Sequence, residues 1–136
     1  MVLFSEINIG DSYEESRFVS SAAVNTFAEI SGDKNPLHLS DEFAAKSIFK
    51  KRVAHGMLVS GYISAVLGMK FPGAGTIYLQ QSLKFMRPVF VDEEVTVRVI
   101  VLEKRPEKNR LLLSTEVLSA DGKAAIVGEA LVKLEN

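Results

Sequence analysis

Residues 53–69 carry no Asp, Glu, Lys or Arg, and both neighbouring stretches are charged. That run constrains the fold more than anything else in the chain. It is shorter than the ~20 strongly apolar residues that span a bilayer, and it holds His55, Ser60 and Ser64. From about Gly56 to Leu67 its apolar residues fall on every side, the mark of a helix wrapped by other elements. The rest of the chain must supply that wrapping.

After this segment the hydrophobic period changes from helical to two. Thr76–Met86 alternates, with Ile77, Leu79, Leu83 and Phe85 on one face. Val95, Val97, Val99 and Val101 alternate likewise, and runs at Leu111–Leu118 and Ala124–Leu134 follow. Pro106–Asn109 reads as one turn, and Asp121-Gly122 as a two-residue hairpin turn. Upstream, Ser12–Val19 is a strand candidate. Ser20 or Ser21 caps a helix ending near Ser31, with Val24, Phe27 and Ala28 on its apolar face and Gly32 as its stop. Asp33–Leu39 reads as a loop held by Pro36. Ser40 then caps a short helix with Asp41 and Glu42 in its first turn. This order predicts an α+β chain in which an antiparallel sheet of about five strands wraps one long buried helix. That is the hotdog arrangement. Its edge strands are most simply covered by a two-fold mate, so a homodimer is expected.

Length and composition bound the function. The 136 residues, 47% of them hydrophobic, suit a single domain over 1–136 with a core of its own. Sixteen basic against 17 acidic residues leave no positive field for nucleic acid. The absence of cysteine removes thiolate nucleophiles and Cys-type zinc sites. Met1–Glu6 lacks the basic and apolar regions of a leader, so a cytoplasmic protein with no membrane partner is expected. Only His38 and His55 offer acid–base chemistry by imidazole near neutral pH.

Two places could carry that chemistry. In Asp33-Lys34-Asn35-Pro36-Leu37-His38, a carboxylate and an imidazole can fold back around one water. Taken alone, the same spacing also suits a turn-forming Asp and a satisfied His. In Ala54-His55-Gly56-Met57, unpaired N–H groups at a helix start suit a developing oxyanion, while Gly56 could equally relieve packing and His55 serve as a polar cap. Gly56, Ser60, Ser64 and Gly68 form a small-residue stripe that admits either the sheet or a slender ligand. A hydroxyl at Ser64, if buried, needs a partner such as Asp33 or His38. Lys50-Lys51-Arg52, Lys84 and Arg87 read as solvated. A two-His-one-carboxylate metal site would need His38 and His55 at one centre, and the helical position of His55 gives that no support.

The block Ile30-Ser-Gly-Asp33-Lys-Asn-Pro-Leu-His38 resembles the hydratase-2 signature of MaoC-like (R)-specific enoyl-CoA hydratases. Ala54-His-Gly-Met57 is similar to that family's second block. The likeness runs on through Tyr78–Val91 to Gly128-Glu-Ala-Leu-Val, most closely to the short enzymes that feed polyester synthesis. It implies reversible hydration of trans-2-enoyl-CoA to (R)-3-hydroxyacyl-CoA, with Asp33 and His38 as the pair holding the added water. Gly56 would polarise the thioester carbonyl through its N–H. Asn35 would support the loop on the substrate side, and Ser64 matches a serine near the catalytic aspartate of the short enzymes. An acyl chain needs a slot, and the small residues Ser60, Gly61 and Ser64 leave room for one. No cofactor or metal is implied, coenzyme A being part of the substrate. A dehydratase acting on acyl-carrier protein or a specialised acyl-CoA is the alternative, as is a non-catalytic acyl-CoA-binding hotdog. Asp92-Glu93-Glu94 departs from the family's Gly-Asp turn and bears only on that loop.

Overall fold

The computed structural model describes residues 2–136. In chain order the elements are β1 (Ser12–Val19), α1 (Ser21–Ser31), α2 (Pro36–Leu39), α3 (Asp41–Ala45), α4 (Gly56–Met69), β2 (Ile77–Gln81), β3 (Lys84–Phe85), β4 (Glu93–Arg105), β5 (Arg110–Leu118) and β6 (Ala124–Lys133). The strands form one antiparallel sheet in the order β1-β4-β5-β6-β2, with β3 also pairing with β6. This is a hotdog: the sheet curls over α4 with a meander of alternating strands. Val95, Val97, Val99 and Val101 of β4 face inward with Leu111, Leu113 and Val117 of β5, none more than 1% exposed. They meet Val59, Ile63, Val66 and Leu67 of α4, none more than 2% exposed. Full burial of each such side chain is worth ~1.5–3 kcal/mol, and this contact fixes the helix along its length.

The helical layer follows its local signals. Ser20 Oγ accepts from Ala23 N–H at 3.0 Å, and α1 ends at Gly32 in the left-handed conformation. Ser40 Oγ accepts from Phe43 N–H at 3.1 Å to start α3. The expected loop at 33–39 is helical over Pro36–Leu39. Asn35 Oδ1 caps Leu37 N–H at 3.1 Å and Pro36 occupies the first turn, a position its fixed φ suits.

The sheet is the expected one of about five strands, with a path of five and β3 beside it, and it differs in detail. The Thr76–Met86 run breaks in two. Its register against β6 slips between Tyr78 and Gln80, and Ser82 interrupts the ladder. There the Ser82 hydroxyl accepts from Glu129 N–H at 2.9 Å, and Ser82 N–H donates to Glu129 O at 2.9 Å. The face expected to be buried is partly exposed, with Ile77 at 37%, Leu79 at 42% and Phe85 at 53%. The last hairpin has a three-residue loop, Ala120-Asp121-Gly122. Ser119 N–H donates to Lys123 O at 2.8 Å, and Gly122 at φ 83 closes the turn.

One flank of α4 is likewise open in the single chain, since Met57, Gly61 and Ser64 are exposed where all-round burial was expected. Strand β2 is the sheet's edge and does not close over them. Among the described residues no helix is long and apolar enough to cross a membrane.

The break at Ser82 depends on Gly128, where an added Cβ would lie 1.8 Å from the Ser82 carbonyl oxygen. Neither backbone can yield without losing the Ser82–Glu129 pairing. Gly128→Ala is therefore expected to lower the unfolding free energy by about 3 kcal/mol, the upper end of ordinary overpacking costs. Urea denaturation measures it, and a loss below about 1 kcal/mol would contradict the close approach.

Candidate active site

The segment just before α4 is laid against α2. Val53 N–H donates to Leu37 O at 3.2 Å, His38 Nδ1 lies 2.7 Å from Val53 O, and Ala54 N–H donates to Val89 O at 2.7 Å. A carbonyl only accepts, so His38 carries a proton on Nδ1, which leaves Nε2 as the nitrogen turned to Asp33. Arg52, read as solvated, is half-buried and ties three helices. It donates to Asp41 Oδ1 at 2.9 Å, His38 O at 3.4 Å and Ser21 Oγ at 3.3 Å. Asp33 leads the loop after α1, and its Oδ1 accepts from Asn35 N–H at 3.2 Å.

These connections bring Asp33 Oδ2 to 4.0 Å from His38 Nε2, with side-chain exposures of 52% and 13%. That distance is too long for a direct hydrogen bond and fits one water accepted by both. The pair lines a cavity of about 500 Å³ with Gly56, whose N–H opens α4 and lacks an intrahelical acceptor. Phe49, Met57 and Phe85 give the cavity apolar walls. The packing reading of Gly56 has direct support, because a Cβ there would lie 2.5 Å from Phe85 Cε1. Asp33, His38 and Gly56 thus converge as the sequence suggested.

Ser60 and Ser64 do not converge with them. Ser60 Oγ donates to Gly56 O at 2.8 Å inside its own helix. Ser64 is exposed and contacts neither Asp33 nor His38, since eight residues of helix place it ~12 Å from Gly56 along the axis. Both line a second cavity of about 420 Å³ with Gly61, Tyr78 and Leu83, and Met57 borders both cavities. Burial pushes the Tyr78 hydroxyl up to about 12, so it stays a neutral donor, and it donates to Gln81 Oε1. The side-chain oxygen of Asn35 is engaged as the α2 cap. In the divergent loop, Asp92 Oδ1 accepts from Ser21 N–H at 3.1 Å, and Glu93 accepts from Phe90 and Ala120 N–H groups at 3.3 and 3.2 Å. Those carboxylates fasten the loop to the start of α1 and to the last hairpin.

His55 is the residue that sequence reasoning left out of the site. It is 2% exposed and makes no capping hydrogen bond at α4. Its Nε2 lies 2.9 Å from Asp33 O, and its ring stands 3.8 Å from the His38 ring at an interplanar angle of 31°. The available signal was a second imidazole in a stretch without charges. Ligand atoms of Asp33, His38 and His55 lie within 4.8 Å of one another, so the two imidazoles do share one centre, contrary to expectation. The set nevertheless fits a metal poorly. One nitrogen of each ring is engaged by a carbonyl.

A family model described as MaoC like domain matches residues 6–122. An (R)-specific enoyl-CoA hydratase of Aeromonas caviae is 43% identical over 128 residues, covering 94% of this chain and 96% of its own. A 3-hydroxybutyryl-CoA dehydratase of Methylorubrum extorquens is 42% identical over 134 residues, 98% of this chain and 85% of its own. The solved (R)-hydratase of Aeromonas caviae, involved in PHA biosynthesis, superposes with a TM-score of 0.92 at 43% identity, over 94% of this chain and 97% of that one. An unliganded R-hydratase from Pseudomonas aeruginosa gives 0.92 at 41% identity, over 96% of this chain and 84% of that one.

The contact between Gly56 and Phe85 is open to a double-mutant cycle. Gly56→Ala must displace the half-exposed ring, at an expected cost of about 1 kcal/mol, and Phe85→Ala in the same chain should return most of it. Urea melts of the four proteins read the coupling, and additive effects would show that the ring does not press on Gly56.

Proposed function

The chain belongs to the MaoC-like family, and we propose that it adds water reversibly to trans-2-enoyl-CoA to give (R)-3-hydroxyacyl-CoA. The observation that carries this is the 4.0 Å separation of Asp33 Oδ2 and His38 Nε2 across a cavity that also receives the start of α4. Relatives above 40% identity over nearly the whole chain are named for this hydration or for a 3-hydroxyacyl-CoA dehydration, the reverse direction.

An ionised Asp33 and a neutral His38 both accept hydrogen bonds from one water. Attack of its oxygen on C3 leaves the second proton on one of these acceptors, and that proton is then delivered to C2. The product gains OH and H from the same water, on the same face of the double bond. Between the two events, charge rests on the thioester oxygen as an enolate. A hydrogen bond from Gly56 N–H, aided by the positive end of α4, stabilises it, and such a donor is worth ~10²–10³ in rate. Coenzyme A enters as part of the substrate, and the chemistry calls for no metal, nucleotide or flavin. The acyl tail runs past Met57 into the second cavity beside Ser60, Gly61 and Ser64.

The reading extends to a cytoplasmic homodimer. Ile77, Tyr78 and Leu79 on the edge strand are 37–42% exposed, and Met57, Phe85 and Met86 are 51–59% exposed. Such an edge is ordinarily covered, and a second copy covers it symmetrically.

Purified protein should hydrate crotonyl-CoA to the (R) product, followed by loss of enoyl absorbance and chiral analysis. Asp33→Asn and His38→Gln should each cut the rate by ~10²–10⁴ while remaining folded, and a chelator should change nothing. Near-normal turnover by a variant removes that residue from the mechanism. Acyl-CoA binding without any hydration would favour a non-catalytic module.

A dimer is expected in sedimentation, and Ser64→Leu should depress rates on longer enoyl-CoAs more than on crotonyl-CoA. A native monomer would defeat the architectural half of this reading. An unchanged chain-length profile would place the acyl tail elsewhere.

A further inference from the structure

His55 is 2% exposed, and its Nδ1 is buried without a hydrogen-bond partner. A phenylalanine or leucine would fill similar space without desolvating a polar atom, so packing alone does not account for an imidazole here. The account lies with its other nitrogen. Nε2 stands 2.9 Å from Asp33 O, and because a carbonyl only accepts, the proton is on Nε2 and Nδ1 is the bare position. The orphaned Nδ1 is the cost of that donor.

His55 also meets the second member of the pair. Its ring lies against the face of His38 at 3.8 Å, while Val53 O, two residues earlier, holds the edge of His38 at 2.7 Å. Edge and face of His38 are thus both set by one tripeptide, Val53-Ala54-His55, which Ala54 N–H anchors to Val89 O at 2.7 Å. Phe27 backs the His55 ring from α1, with centroids 4.8 Å apart. Asp33 has no comparable anchor of its own. Its carboxylate is half-exposed, and its remaining bonds, to Asn35 N–H and from its own N–H to Ser31 Oγ, reach only two residues along the chain.

We propose that His55 is a positioning residue for the hydration reaction: its Nε2–H holds the Asp33 backbone and thereby sets the separation of the two groups that grip the water. The inference rests on the hydratase reading. His55 borders the same cavity at 2% exposure, and its Nε2 is committed to Asp33 O. Its replacement by a side chain of similar size lets Asp33 drift relative to His38 while the rest of the cavity lining stays, so the damage falls on kcat more than on KM. A misplacement of ~1 Å at a reacting pair costs on the order of 10²-fold.

The test separates the donor from the ring. His55→Phe keeps a flat ring against His38 and removes the donor. His55→Gln removes the ring and keeps an N–H at the reach of Nε2. On crotonyl-CoA, His55→Phe should lower kcat by ~30-fold or more with KM within about twofold, whereas His55→Gln stays within about fivefold of wild-type kcat. A near-normal kcat for His55→Phe overturns the proposal, and so does equal loss in the two variants or a loss appearing in KM. If His55→Phe does not fold, His55→Gln decides, and a kcat below about one tenth of wild type overturns the proposal.

A readout on the unaltered protein is independent of folding in any variant. Long-range nitrogen–proton correlation of its two histidine rings, both neutral, should show one Nδ1–H tautomer for His38 and one Nε2–H tautomer for His55. An Nδ1–H tautomer at His55 removes the donor and the proposal with it. Inactive wild type sinks the hydratase reading whatever the variants do, while active wild type with an unimpaired His55→Phe sinks this inference alone.

Discussion

An uncharged helix has to be covered, and here one curled sheet covers a single side of it. The valines of β4 and the leucines of β5 bury Val59, Ile63, Val66 and Leu67, which clamps α4 along its length. With the body of the helix held by apolar contact, its first turn is free to do something other than pack. Gly56 and the N–H groups around it open toward a cavity, and the helix stays in place. Asp33 lies in a short exposed loop and His38 on the one-turn helix α2, and both are bonded to the segment that enters this fixed helix. The polar groups therefore gather where a long, well-packed helix begins.

Two local rules are broken at that junction. His55 leaves Nδ1 unpaired in the interior, and Gly56 gives up a side chain where Phe85 presses close. Each lowers stability relative to an apolar, well-capped helix start. Each also leaves a polar group in place, namely a donor to Asp33 O and an N–H at the cavity. Rules broken in this way are what the proposed site would require of the fold.

The same distinction separates what was legible in the sequence from what was not. The run Val95, Val97, Val99, Val101 reads as a strand because its period is local, and Ser20 and Ser40 read as caps because capping is a contact between near neighbours. The break in the Thr76–Met86 run was not legible, since it depends on Gly128 lying against Ser82 from a strand 46 positions away. The helical turn at Pro36–Leu39 was readable in principle, as Asn35-Pro36 is a cap followed by a first-turn proline, but a proline after a helix stop suits a loop equally well. Asp33, His38 and Gly56 were found through a resemblance that their spacing alone did not force. His55 was missed because its partners, Asp33 O and the His38 face, lie 22 and 17 positions away, and one of them is a backbone atom with no signature.

The helix presents its functions on separate surfaces. The side bearing Val59, Ile63 and Val66 belongs to the sheet, the N-terminal end belongs to the Asp33–His38 cavity, and the flank with Gly61 and Ser64 borders the second cavity. Ser64 sits two turns below the pair, and its hydroxyl makes no contact with them. A change of volume on that flank therefore alters the room beside the helix without moving Asp33, His38 or the first-turn N–H. Ser60 is the exception, because its hydroxyl bonds to Gly56 O and any replacement there is felt at the helix start. Within this architecture the depth of the pocket can drift at Gly61 and Ser64 while the acid–base geometry stays fixed, and the coupling between the two begins one turn higher, at Ser60.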